Sequence, residues 1–340
     1  MAFKDIPGNP GIKKILQNAL RNGRLPHALL FCGPDGVYKR RTAFTLAQAL
    51  NCRNAADDAC GECESCRAIR RSEETGETWH PDIQELSVET QAIKIEQVRA
   101  LKEAAYLRPM TARARVFILS EAERLSDEAA NSLLKVLEEP PGFSYVLLIA
   151  PSPDVLLPTI VSRCRVLTFL PITREEVEKQ LRGDGQPDER ARALSFVAGG
   201  NLERAAVFDW DEVQELRERT WGLVRVLAGE PGVAAAFEGL EARGGESGRE
   251  AVRDELRERV EVFVSFCRDL LLLHEGGEAS LLFNPDYEAR LREAAEVLDR
   301  RRILEALRGA EGVLAGLPRN LNPTLLVSAF VASLWSSNDA

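Results

Sequence analysis

Gly33-Pro34-Asp35-Gly36-Val37-Tyr38-Lys39-Arg40-Arg41 is the stretch whose reading decides the fold. It follows an apolar run, Ala28-Leu29-Leu30-Phe31-Cys32, and precedes a helical pattern from Ala43 to Leu50. A glycine-rich turn between a buried strand and a helix is where backbone N–H groups and a helix N-terminus surround a phosphate. Against the pattern G-x-x-x-x-G-K-[ST], Gly33 and Lys39 fit, and Gly36 lies within the turn. The second glycine is replaced by Tyr38 and the hydroxyl residue by Arg40. That glycine lets backbone approach phosphate, and that hydroxyl holds magnesium. Gly33, Gly36 and Lys39 thus mark a degenerate phosphate loop that is not expected to work. Lys39 reads equally as a contact to a stray anion or as a surface lysine.

Working outward, residues 27–170 alternate strands and helices. Ile12 to Asn22 keeps its apolar residues on one helical face, and Gly23 ends it. Strands are expected over 27–32, within Pro81 to Val88, over Arg115-Val116-Phe117-Ile118-Leu119, over Tyr145 to Ile149 and over Val166 to Phe169. Helices are expected over 39–50, over 93–105, and from Ser126, a hydroxyl N-cap, to the stop at Pro140-Pro141. This alternation implies a doubly wound α/β domain with a parallel sheet. After Pro171 the strand signals vanish. Thr173-x-x-Glu176 is a capping box opening a first helix to Leu181, and Pro187 to Ala198 and Asn201 to Phe208 follow. Val213 to Leu227, Glu250 to His274, Tyr287 to Ala315 (broken near Arg302) and Pro323 to Trp335 complete an all-helical region with loops at Gly244-Gly245 and Gly276-Gly277.

The 340 residues, 45% apolar and 29% charged, suit a soluble globular chain of two or three domains. A net charge of −9 argues against nucleic-acid binding by bulk charge. No basic-then-apolar leader opens the sequence and no run reaches the ~20 apolar residues of a membrane span, so a cytoplasmic chain with reduced thiols is expected. Among seven cysteines, Cys52, Cys60, Cys63 and Cys66 cluster with two C-x-x-C steps. Four soft sulfurs at that spacing suit tetrahedral zinc, and a site closed by protein ligands is structural rather than catalytic. A disulfide pair or four unrelated thiols are the alternatives. The stretch trailing from this knuckle, Ser72 to Thr78, reads as exposed loop. Cys32, Cys164 and Cys267 sit in apolar runs and read as core residues.

Several stretches fall in one order. Leu25-Pro26-His27-Ala28-Leu29-Leu30-Phe31-Cys32-Gly33-Pro34, the four-cysteine insertion, Asn131-Ser132-Leu133-Leu134-Lys135-Val136-Leu137-Glu138-Glu139-Pro140-Pro141 and Thr159-Ile160-Val161-Ser162-Arg163-Cys164 together resemble the bacterial DNA polymerase III clamp loaders, which are AAA+ proteins. The resemblance is dense over 10–205 and architectural beyond. It implies an α/β AAA+ domain over 1–170 with a zinc module at about 51–70. A three-helix lid over 171–208 and a helical collar over 209–340 would follow. In that family the gamma and tau subunits keep a full phosphate loop, while delta-prime commonly keeps the fold with a degraded one.

The resemblance also locates the remaining nucleotide machinery. The Asp-Glu pair after the third strand falls on Ser120 and Glu121, the sensor threonine on Ala150 or Pro151, and the lid's second-sensor arginine on Glu203, beside Arg204. Serine offers no charged grip on a metal, and phosphoryl transfer depends on positioning and charge neutralisation. A subunit without its own hydrolysis, and with no expected ATP binding, is therefore implied. Arg163 survives as the match to the family's arginine finger, acting in trans on a neighbour's nucleotide; an arginine paired locally with an acid is the plainer alternative. The implied partners are gamma/tau and delta, and the assembled complex would load the sliding clamp on primer-template DNA. An ATP-hydrolysing gamma/tau-type subunit is the runner-up. A zinc-dependent DNA-binding protein is the third reading, opposed by the acidic balance and the lack of a basic helix near the cysteines.

Overall fold

The computed structural model describes residues 2–88, 92–230, 249–317 and 321–336. Five strands, β1 (Ala28–Cys32), β2 (Ile83–Leu86), β3 (Arg115–Leu119), β4 (Ser144–Ala150) and β5 (Arg165–Thr168), form one sheet. Its order is β2-β3-β4-β1-β5. Every pairing is parallel, with Ala28 to Cys32 opposite Val146 to Ala150 and Arg115 to Leu119 opposite Ser144 to Leu148. The sequence explains why the inner strands are central. β1 and β3 are buried at every position, as a strand covered on both faces must be, whereas β2 and β5 at the edges carry partly exposed residues.

Helix α1 (Pro10–Arg21) precedes the sheet, and α2 (Lys39–Asn51), α3 (Glu64–Thr75), α4 (Ile95–Ala105), α5 (Asp127–Glu138) and the short α6 (Pro158–Val161) connect the strands. On one face of the sheet, Leu30, Phe117, Leu119, Val146 and Leu148 pack with Val98 and Leu101 of α4 and with Leu133, Val136 and Leu137 of α5. Each such aliphatic side chain contributes roughly 1.5–3 kcal/mol by leaving water. α2 packs against β3 and β4 and carries α3 beside it. The expected caps form. Ser126 accepts the Ala129 amide at 3.2 Å, and Thr173 and Glu176 exchange their capping-box bonds at 3.2 and 3.3 Å. His27 contacts the Leu137 carbonyl at 3.0 Å, a satisfied packing residue.

One expectation is corrected. The polar stretch from Ser72 is not exposed loop: α3 continues through Thr75, with Ser72 buried, and Gly76 in the left-handed region ends it. Its apolar face is only Cys66 and Ile69, so the periodicity was too sparse to read. Arg67, Arg70 and Arg71 lie on this same helix beside the cysteines, balanced by Glu64, Glu73 and Glu74, so a helix is present there but carries no net basic charge.

By contacts the chain divides into two units, Met1–Glu176 with Gly200–Glu203, and Val177–Gly199 with Arg204–Ala340. Along the chain come α7 (Arg174–Gly183), α8 (Asp188–Val197), α9 (Leu202–Val207), α10 (Trp210–Leu227), α11 (Arg249–His274), α12 (Glu288–Val297), α13 (Arg300–Gly316) and α14 (Pro323–Ser336). No strand occurs among the described residues after β5. The break foreseen near Arg302 falls at Leu298-Asp299, where Asp299 caps α13 through the Arg302 amide at 2.8 Å. Gly276-Gly277 does follow α11; Gly244-Gly245 lies outside the described residues. Within the second unit α10, α11, α13 and α14 pack on one another around Phe263, Phe266 and Phe330. Arg217, almost wholly buried, bonds both carboxylate oxygens of Asp286 at 2.6 and 2.7 Å. Such a paired guanidinium fixes how these elements meet.

Candidate functional site

The loop after β1 is a sharp turn built against neighbouring backbone. Gly33 has φ +146°, and its amide bonds the Pro151 carbonyl at 3.0 Å; a Cβ there would overlap the Phe169 carbonyl. Tyr38, in place of the pattern's second glycine, still takes the left-handed conformation that glycine would take freely, at φ +63°. For an L-residue with a Cβ this costs roughly 1–2 kcal/mol. Its buried side chain lies 5.6 Å from the Arg41 guanidinium, and its carbonyl accepts the Thr42 hydroxyl at 2.7 Å.

The loop's cations are already committed. Lys39 is only 7% exposed, which rejects the surface-lysine reading. Its ammonium donates to the loop's own carbonyls, Gly33 O and Pro34 O, the latter at 2.7 Å, with Asp35 at 3.4 Å. Gly36, at φ +72°, lies against the Asn201 carboxamide, and a Cβ at Gly36 would overlap it. The chain's own Gly200-Asn201-Leu202-Glu203 therefore lies over the turn. Burial raises the Glu203 carboxyl above its ordinary range, while Arg41, Arg40 and Lys39 pull it back.

Arg40 defines the other corner. Its Nε and Nη2 each donate at 2.6 Å to the two oxygens of Glu85 on β2. Nη1 and Nη2 also reach the Glu73 carbonyl of α3, at 3.1 and 3.2 Å. Ser120, after β3, donates its hydroxyl to Glu85 Oε1 at 2.6 Å. Position 40, where the pattern has a metal-holding hydroxyl, and Ser120 therefore converge on one carboxylate held by a fixed guanidinium. A divalent cation entering beside it would meet the like charge of Arg40. Burial pushes the Glu73 carboxyl up to about 7 against the pull of Arg41 and Arg40. Glu121, at φ +56°, lies half-exposed in the turn after β3 and pairs with Arg124 at 3.0 Å.

The four cysteines meet. Their sulfurs all lie within 4.8 Å of one another, and none is in a disulfide. Four sulfurs at about 2.3 Å from one tetrahedral zinc stand about 3.8 Å apart, so the donor set and spacing fit a metal ion. Cys52 follows α2, Cys63 caps α3, and Cys66 lies in its first turn, with Gly61 at φ +74° in the bend between. Backbone amides aim at sulfur: Cys60 N lies 3.4 Å from Cys52 Sγ, and Cys63 N lies 3.3 Å from Cys60 Sγ. The amides of Cys63 and Glu62 hold the Cys60 thiol down at about 6, whereas burial raises Cys66. Asp58, between Cys52 and Cys60, takes the Phe3 amide at 2.9 Å and the Gln17 side chain at 3.2 Å, tying the knuckle to α1 and the segment before it. The other three cysteines behave as core residues, with burial pushing Cys32 to about 11 and Cys164 to about 12 and raising Cys267.

Arg163 stands apart from the loop's residues. It follows α6, 34% exposed, and pairs with Glu138 at the end of α5, itself 48% exposed. Nε donates to Glu138 Oε1 at 2.8 Å and Nη1 to the Thr159 carbonyl at 2.9 Å. The local acid pairing named as the plainer alternative is thus present.

Sequence reading did not find Glu85, Glu73, Asn201 or Glu138. Glu85 carried a usable signal: a charged residue inside Ile83-Gln84-Glu85-Leu86 has to find a partner once that strand joins a buried sheet. Asn201 and Glu138 carried none, because their partners are distant in sequence.

Residues 8–173 match a family model described as DNA polymerase III, delta subunit. The chain is 29% identical to the DNA polymerase III subunit delta' of Bacillus subtilis, over 84% of this chain and 84% of that protein. It is 34% identical to the same organism's subunit tau over 52% of this chain, a match spanning only 30% of tau. A gamma subunit-related protein from Thermotoga maritima aligns over 96% of this chain and 98% of its own, at 19% identity and a TM-score of 0.38.

Proposed function

From its kinship with the delta-prime subunits of DNA polymerase III, we propose that this chain is a clamp-loader subunit that does not hydrolyse ATP itself and lends Arg163 to a neighbouring ATPase subunit. The observation that carries the first half is Arg40. A guanidinium bridges the Glu85 carboxylate and the Glu73 carbonyl, and Ser120 donates to that same carboxylate, where a working site would place magnesium between hydroxyl and acid. Catalysis of phosphoryl transfer is positioning and charge neutralisation, and here both are directed at the protein's own groups. Lys39, bonded to Gly33 and Pro34, follows the same rule, so neither ATP binding nor turnover is assigned to this loop. Cys52, Cys60, Cys63 and Cys66 would hold a structural zinc, which when bound crosslinks the end of α2 to the start of α3.

Arg163 is a partly exposed cation in a motif shared with the family. Its planar, permanently charged group suits phosphate oxygens in an interface closed to water. The helices over 171–208 are read as the lid and those over 209–340 as the collar that binds gamma/tau and delta. The assembled loader would place the sliding clamp on primer-template DNA in the cytoplasm. In a loader reconstituted with gamma/tau and delta, Arg163→Ala is expected to lower ATPase by the share of the adjoining site, where such fingers are worth ~10³–10⁵ in rate. ATPase and clamp loading unchanged by that substitution would sink the finger role.

The gamma/tau-type reading is favoured by the 34% identity to tau over half the chain. Magnesium-dependent ATP binding by the isolated chain would support it. The expected result is no such binding.

A further inference from the structure

We propose that Glu138 is a latch on Arg163, holding the guanidinium against its own surface until a neighbour's phosphate replaces the carboxylate; the proposal rests on the finger reading. Four guanidinium contacts are inward. Nε and Nη2 both reach Glu138 Oε1, and Nη1 reaches the Thr159 carbonyl at 2.9 Å and Ser162 Oγ at 3.3 Å. Of its five N–H groups, those of Nε and Nη1 are turned onto the protein's own oxygens, so in this state the fork is not free to meet a ligand squarely.

The placement of Glu138 breaks a local rule. It is the last residue of α5, where the macrodipole is negative and a carboxylate is disfavoured. The next residue, Glu139, is also acidic, and Pro140-Pro141 follows, so the helix end itself gains nothing from the charge. What Glu138 gains is Arg163. Rule-breaking residues of this kind concentrate where a site is being served.

The exposure decides how the pair behaves. With side chains 34% and 48% accessible, the pair is screened and weakly held. A polyphosphate carries more charge than one carboxylate and accepts two parallel N–H bonds from the fork, so it outcompetes Glu138 once the neighbouring site closes. Latching thus keeps Arg163 from binding stray anions, and it lowers the fraction of the chain ready to engage. The apparent affinity for the engaged state falls by that fraction.

Glu138→Gln keeps the shape and removes the charge. Titrating the variant into gamma/tau and delta and following ATPase, the half-maximal concentration is expected to fall by about 1.5- to 5-fold, the range for an exposed pair. The gap between variant and wild type should narrow as salt rises, because the lost interaction is a screened ion pair. Glu138→Ala, which also removes the acceptor oxygen, should shift at least as far. The double variant Glu138→Gln with Arg163→Ala should behave as Arg163→Ala alone. If Arg163→Ala lowers ATPase but Glu138→Gln and Glu138→Ala leave the titration unchanged or weaken it, the latch is wrong and the finger stands. If Arg163→Ala has no effect, the finger reading fails and takes the latch with it.

Discussion

Two arginines of the α/β unit, Arg40 and Arg163, have the same chemistry and opposite situations. Arg40 meets a carboxylate that is 14% exposed, a serine-supported oxygen and a helix carbonyl. Arg163 meets a half-exposed carboxylate and the backbone of its own turn. In the first place the guanidinium has become part of the scaffold. In the second it is held by contacts that water and salt weaken. On the function proposed above, the difference teaches how a phosphate loop would lose its ligand and keep its fold: a fixed cation joins α2, β2 and the end of β3. On the same reading Arg163 is the more loosely held of the two cations. The two guanidinium groups are about equally exposed, so the partner's burial, more than the arginine's own, separates a structural arginine from one that can act on something else.

The strongest way to break the comparison is to remove the metal proposed for the cysteines. Arg40 depends on α3 through the Glu73 carbonyl, and α3 is anchored at its start by Cys63 and Cys66. Metal binding free energy at such a site is folding free energy, because no preformed site exists in the unfolded chain. Chelation, or Cys63→Ser, is expected to cost at least about 3 kcal/mol, or roughly 10 °C in the first unit's unfolding temperature. Glu138 lies on α5 and Arg163 in the turn after α6, so a metal-depleted chain that stays folded should keep that pair. Elemental analysis showing no bound metal in protein purified without chelator would overturn the assignment.

Next in size is Arg40→Ala. It strands Glu85, which then has only Ser120 to offset its burial. Breaking a fully buried pair costs ~3–5 kcal/mol; with the Arg40 side chain 39% exposed, about 2–3 kcal/mol is expected by urea unfolding. A loss below about 0.5 kcal/mol would remove Arg40 from the scaffold and reopen the loop to a ligand role.

How much of this was legible follows from the range of each signal. The strand–turn–helix at Ala28 to Leu50 and the continuous run Arg115 to Leu119 were readable because burial on both faces leaves a local apolar record. The cysteine spacing was readable because ligation constrains neighbours in sequence, and all four sulfurs do converge. The defects at Tyr38 and Arg40 could be seen, but what Arg40 does in place of a hydroxyl could not. Its partners are 45 residues away at Glu85 and 33 away at Glu73. α3 was missed for a different reason. Its buried face is short because much of that face is sulfur and serine, which a pattern of apolar residues does not count.

The smallest expected effect is the sharpest test of the contrast. Arg163→Ala removes a guanidinium with as many near neighbours as a structural one, yet it should barely alter stability. An exposed pair is worth about 0–1 kcal/mol, and the groups left behind can all reach water: Glu138 is half exposed, and Thr159 and Ser162 are exposed on α6 and at its end. Urea unfolding of the isolated chain is expected to shift by no more than about 0.5 kcal/mol, against the larger loss for Arg40→Ala. The same Arg163→Ala protein in the reconstituted loader should lose ATPase. A large change in one measurement and almost none in the other is what an arginine kept for a neighbour requires. Were Arg163→Ala as destabilising as Arg40→Ala, both would be scaffold, and the corner after α6 would have no cation to give.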